Sequence, residues 1–171
     1  MNIKEYIFSY FRRKQPARQA VFTNFEDVRS VLVLYESDLS EKNTIVKQLR
    51  DELILENKDV VLWGYCNKKE IDSLILPQSR ILGRQDINIL GAPRRDVIED
   101  LQKRPYDLLI DLTQQPCLPL RYIAMYARAD FKAGLMNNTG LYDFLIDTPP
   151  QATPEFLFQQ IVKYLKIINA K

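Results

Sequence analysis

A chain of 171 residues with 46% hydrophobic and 27% charged side chains has room for one core, and at that size it needs no disulfide or metal staple. Histidine is absent, which removes the usual general base, the commonest metal ligand and every Ser-His or Cys-His pair. The five glycines are scattered singly, so neither G-x-G-x-x-G nor the P-loop pattern is present. The net charge of +2 hides an asymmetry: residues 1–20 carry five basic side chains against Glu5, leaving the remainder slightly acidic. The basic excess belongs to an N-terminal arm, and no basic face on the rest predicts nucleic acid as a partner.

In chain order, residues 1–20 read as that arm and 21–171 as a single domain. Ile3, Tyr6, Ile7, Tyr10 and Phe11 fall on one stripe of a helix, which Pro16 ends. The stretch is too short for a spanning segment, and no other window is apolar enough to cross a bilayer. Two readings stay open for the arm. It packs on the domain or on a second copy, or it lies at an anionic membrane surface. In the second case Tyr6, Ile7, Tyr10, Phe11, Arg12, Arg13 and Lys14 are the contact candidates.

Residues 31–35 (VLVLY) form an unbroken apolar run, the mark of a strand covered on both faces. A helix to about Asn57 follows, with Ile45, Val46, Leu49, Leu53 and Ile54 inward, then a strand over 59–65. Asn67 opens a short helix carrying Ile71, Leu74 and Ile75 until Pro77. Residues 80–92 predict a strand at 87–90, with 80–82 as a shorter extra one. Pro93 begins a helix in which Val97, Ile98 and Leu101 recur at helical spacing.

Next comes the stretch that organises the rest: strand 108–112, a helix over 118–127 with Leu120, Ile123 and Ala124 inward, and strand 131–135. It requires Leu109 and Ala133 to lie on neighbouring parallel strands. A turn at 136–140, a short strand in 142–147 and a helix started by Thr153-Pro154-Glu155 complete the chain. Phe156, Leu157, Ile161, Leu165 and Ile168 are its expected buried face. Strands alternating with helices predict an α/β, Rossmann-like three-layer sandwich with a mainly parallel sheet and an N-terminal amphipathic helix.

In such a fold ligands bind outside the carboxyl ends of the strands, near the switch in strand order. Ser37, Asp38, Asn67, Asp111, Thr113 and Asn137 are the ligand-binding candidates there. Ser37 and Asp38 read as helix caps ahead of ligand contacts, and Asp111, between Ile110 and Leu112, reads as a holder of loop amides ahead of a ligand contact. Cys66 and Cys117 are widely separated and read as reduced thiols of a cytoplasmic protein. No catalytic residue, metal site or cofactor is expected, although Asp111 with Asp147 would make a carboxylate pair if the fold joined them.

The run KRPYDLLIDLTQQPCLPLRYIAMYARADFKAGLMN, residues 103–137, resembles the N-terminal half of heptosyltransferase-like glycosyltransferases. In those enzymes a YD-hydrophobic-hydrophobic-IDL strand precedes a helix ending in an AR-A turn and a strand ending in glycine. Nearly the whole chain resembles a family of short bacterial proteins of unknown function. That likeness runs through Asp86-Ile-Asn88, Gly91-x-Pro93, Tyr106–Leu112, Phe131-Lys-x-Gly134 and Tyr142-Asp143-x-x-Ile146-Asp147. The glycosyltransferase resemblance implies the fold. It carries over no catalytic residue, because the donor-binding second domain and the glycine-rich opening turn have no counterpart here. The expected function is a binding or interaction module whose partner is a protein, a second copy or an anionic membrane. The rival is a nucleotide- or sugar-nucleotide-binding enzyme or sensor.

Overall fold

In a computed structural model, residues 2–22, 24–37, 40–68, 79–135 and 140–168 are described. The elements are α1 (Ile3–Lys14), β1 (Ser30–Glu36), α2 (Ser40–Leu55), β2 (Asp59–Tyr65), β3 (Ser79–Leu82), α3 (Arg95–Gln102), β4 (Tyr106–Asp111), α4 (Leu118–Tyr126), β5 (Ala129–Leu135), β6 (Phe144–Ile146) and α5 (Pro154–Ile167). They build a six-stranded sheet in the order β3-β2-β1-β4-β5-β6, with every neighbouring pair parallel. That is the doubly wound order of a Rossmann-like fold. Leu109 pairs with Lys132 and Ile110 with Ala133, the parallel neighbours the sequence demanded.

Two core layers follow from strand alternation. On one face Val31, Val33, Leu108, Ile110 and Ala133 meet Val46, Leu49 and Leu53 of α2 and Leu157, Phe158, Ile161 and Leu165 of α5. On the other, Leu32, Leu34, Trp63 and Leu109 meet Phe8 of α1, Val97 and Leu101 of α3, and Tyr122, Ile123 and Ala124 of α4. Local signals set the boundaries. Asn57 adopts the left-handed conformation after α2 (φ 61°), and the Thr153 side chain accepts from the Phe156 amide to cap α5. At the amino ends of the central strands, Asp107 accepts from the amides of Arg29 (2.7 Å) and Ser30 (2.8 Å), pinning β4 beside β1. Burial pushes the Asp107 carboxyl up, but these donors outweigh it and leave it below its usual value.

Two expectations need correction, in residues 80–92 and in the inward faces of α2 and α5. The strand of the 80–92 region is Ser79–Leu82, whereas Ile87 makes only an isolated antiparallel bridge to Pro93 and 88–91 is a turn. The Asn88 side chain explains this, accepting from the Leu90 and Ala92 amides and curling the chain. Ile54 is 47% and Phe156 is 40% exposed, because Leu53 and Phe158 occupy the inward positions. In α1 the buried residue is Phe8, so Ile3, Tyr6, Tyr10 and Phe11 are exposed. The helix carrying Ile71, Leu74 and Ile75, and the turn at 136–139, lie outside the described residues.

Candidate functional site

Between β1 and β4 the strand order reverses, and the chain leaves the two strands in opposite directions. Four candidates are described around this carboxyl edge. Ser37 is buried; its amide donates to the Tyr65 carbonyl (2.9 Å) and its hydroxyl to the Asn43 side chain (2.9 Å), tying β1 to β2 and to α2. Asn67 is exposed after β2 and accepts from the Arg84 Nε (3.1 Å). Asp111 and Thr113 are 1% and 2% exposed. Asp38 and Asn137 lie outside the described residues.

Asp111 is the centre of this edge. One carboxylate oxygen accepts from the Thr113 amide at 2.8 Å, and the other accepts from the Tyr142 hydroxyl. Burial raises its pKa to about 6 against the opposing pull of these donors. At neutral pH it is therefore a buried carboxylate that fixes the start of the β4–α4 loop and ties it to the segment before β6. Burial and the adjoining carboxylate hold the Tyr142 phenol well above its ordinary value. The fold gives Asp111 a phenol as its partner, while Asp147 is exposed. Among the described residues, no group of three or more His, Cys, Asp or Glu side chains could hold a metal ion.

Tyr142 went unrecognised in the sequence, since nothing local marks a tyrosine for a carboxylate thirty-one positions away. Gly134 makes room for it: a Cβ there would approach its ring to 3.0 Å. Lys132 was also missed, although a lysine inside the apolar strand ADFKAGL is an anomaly that could have revealed it. It is 3% exposed, and its ammonium donates to the Ala124 carbonyl at 2.6 Å. Burial first, and then the Arg18 guanidinium, lower its pKa to about 8.

Helix α1 is fastened to α4. Phe8 packs edge-on against Tyr122 with ring centroids 4.9 Å apart, and Arg121 lies 4.3 Å above the Phe8 ring. The same guanidinium donates to both oxygens of Glu5, at 2.9 and 2.7 Å. This fixes which way the helix faces. Ile3 (69% exposed), Tyr6 (60%) and Tyr10 (52%) point outward, flanked by exposed Lys4, Arg13 and Lys14. The Lys14 ammonium lies 5.5 Å from the centre of the Tyr10 ring.

Among the described residues no helix is long and apolar enough to cross a membrane. No curated protein matches the chain by sequence. Among solved structures, E. coli heptosyltransferase WaaC with ADP-2-deoxy-2-fluoro heptose is similar, with a TM-score of 0.51 and 13% identity over 78% of this chain. The same enzyme with ADP gives 0.48, also at 13% identity over 78%. The chain spans about half of these enzymes, 48% and 46% of their lengths. At such identity the likeness is one of fold alone. The model of one family runs through the arm and the sheet alike, and the chain belongs to it: DUF6913, a family of unknown function, matched over residues 3–168.

Proposed function

We propose that this domain is a binding module that meets an anionic membrane surface through the outward face of α1. The observation carrying this reading is the docked helix itself. Phe8 and Glu5 hold α1 against α4, and the apolar side chains left outside are Ile3, Tyr6, Tyr10 and Phe11. Tyrosines and a phenylalanine beside Lys4, Arg13 and Lys14 suit an interface that is apolar below and negatively charged above. Because the helix is already ordered by the domain, membrane contact needs no further folding of the arm. The rival reading, a sugar nucleotide at the strand ends, would draw on Ser37, Asp111 and Thr113. Those side chains and amides are engaged in joining loops within the protein, which favours the module.

The test is co-sedimentation of the full chain with vesicles. Binding should appear with phosphatidylserine vesicles, vanish with purely zwitterionic ones, and weaken as salt rises. Tyr6→Ser with Tyr10→Ser, at exposed positions, should abolish it without changing the thermal midpoint. Equal sedimentation with both vesicle types, or none with either, would overturn the proposal.

A further inference from the structure

A cavity lined by described residues lies away from the strand carboxyl ends. It is about 520 Å³ in volume and opens between the end of α1, the end of α4, the Lys132 strand and residues 140–143. Four cationic side chains line it, Arg12, Arg18, Arg128 and Lys132, against one carboxylate, Asp143. That carboxylate is already taken: Arg18 pairs with it, and it also accepts from the Lys132 amide at 2.8 Å. With Arg18 paired to it, the lining stays predominantly cationic.

Lys132, 3% exposed, is the buried cation of this lining. An ammonium has three donors, and this one donates to the Ala124 carbonyl. Burying a charged group without full pairing is costly, so the site is built to favour an anion that completes it. Gly140 leaves room for a second cation. It sits at φ +87°, and a Cβ there would fall 2.2 Å from an Arg12 terminal nitrogen, so the guanidinium lies directly on the loop backbone. Arg128 is exposed at the rim, anchored to the Gln102 carbonyl at 3.3 Å. Tyr126 and Met125 add an apolar side to the same space.

We infer that this cavity between α1, α4 and β5 binds a phosphate monoester or pyrophosphate group, with Lys132, Arg12 and Arg128 in its lining. Doubly charged oxygens would meet both fork-shaped guanidinium donors and the buried ammonium. The volume admits a small phosphorylated molecule as readily as a lipid headgroup of the same chemistry. This pocket is separate from the outward stripe of α1, and the two fail or survive independently.

The experiment is calorimetric titration of the full chain with inorganic pyrophosphate, alongside sedimentation with vesicles containing phosphatidic acid. Saturable pyrophosphate binding, weakened at least tenfold by Arg128→Gln and by Lys132→Met, is expected. Arg95→Gln, on the exposed face of α3, should leave it unchanged. Binding to phosphatidic acid vesicles alone, lost in Arg128→Gln but kept in Tyr6→Ser/Tyr10→Ser, would support the pocket and assign the phosphate to a lipid. Arg128 is exposed, so its variant tests the pocket even if Lys132→Met fails to fold. No saturable binding of either probe, or binding indifferent to Arg128→Gln, would overturn the inference.

Discussion

The two faces of the sheet are built from different materials. Beneath α2 and α5 the layer is mostly aliphatic, with Val46, Leu49, Leu53, Leu157, Ile161 and Leu165 closing over Val31, Val33 and Ile110. Its buried charge, Lys58, sits at the margin, donating to the carbonyls of Phe25 (2.8 Å) and Val28 (3.0 Å). Beneath α1, α3 and α4 the layer mixes aromatic and ionisable groups: Phe8, Trp63, Tyr122 and Tyr142 beside Asp111 and Lys132. Asp111 and Lys132 occupy this face on adjacent strands, yet each is matched to a neutral partner, a phenol and a carbonyl. One face holds the fold together. The other accommodates polar groups at a cost in stability and contains the charged cavity.

The largest expected effect tests this division directly. Ile161→Ala, at a fully buried position of α5, should lower unfolding stability by about 2–5 kcal/mol. Phe8→Ala removes a larger side chain, but its global cost is limited by the free energy of undocking α1. Hydrogen exchange should then quicken across residues 3–14 while the central strands keep most of their protection. Equal global losses from the two substitutions would mean that α1 unfolds only together with the sheet.

A second effect concerns pH, and its sign follows from the two buried charges. The carboxyl of Asp111 is raised to about 6 from 3.8, so the folded chain binds its proton more tightly than the unfolded chain. Its favourable contribution is full below pH 4 and is lost as pH rises through 6, a loss on the order of 3 kcal/mol. Lys132 is lowered to about 8 from 10.5, so its protonation is disfavoured by folding. That penalty is present below pH 8 and relieved as pH climbs towards 10.5. Both groups are charged and unfavourable between about pH 6 and 8, and denaturant titrations should find a stability trough there. Asp111→Asn should flatten the acid shoulder, and Lys132→Met the alkaline one. Below pH 4 the lowered carboxyls of Asp100, held chiefly by Lys103, and Asp107 reverse the trend as they protonate. A wild-type profile with its maximum at neutral pH would contradict this account of the second face.

How much of this could be read from the sequence follows the same division. The aliphatic face was legible, because Val31–Tyr35 and the i, i+3, i+7 spacing of Val46, Leu49 and Leu53 report burial by pattern alone. The parallel βαβ unit through Leu109 and Ala133 was legible for the same reason. The aromatic face was less legible. In α1 the apolar stripe suggested by spacing is the exposed one, since Phe8 alone fills the gap above Tyr122 and the Glu5–Arg121 pair sets the rotation. Asp111 was correctly singled out as a holder of loop amides, but its link to Tyr142 depends on β5 and β6 bringing distant segments together. The charged cavity was invisible, because its cations come from four separate segments and only the oddity of Lys132 hinted at it.

The smallest expected effect separates ornament from fastening. Arg95 and Glu99 form an i,i+4 pair at 2.7 Å on α3 with side chains 92% and 60% exposed. Water and salt screen such a pair, and a double-mutant cycle should return about 0.3–0.5 kcal/mol, vanishing in high salt. Glu5 and Arg121 pair at the same 2.7 Å with side chains 38% and 19% exposed, and the arginine also covers the Phe8 ring. Its cycle should return more than the first, up to about 1 kcal/mol, and persist as salt rises because the guanidinium is largely shielded. The comparison has a structural meaning beyond its size. If the Glu5–Arg121 coupling falls to the level of the exposed pair, Phe8 alone orients α1. The helix would then be free to roll about that ring, and the outward direction of Tyr6 and Tyr10 would no longer be fixed by the domain.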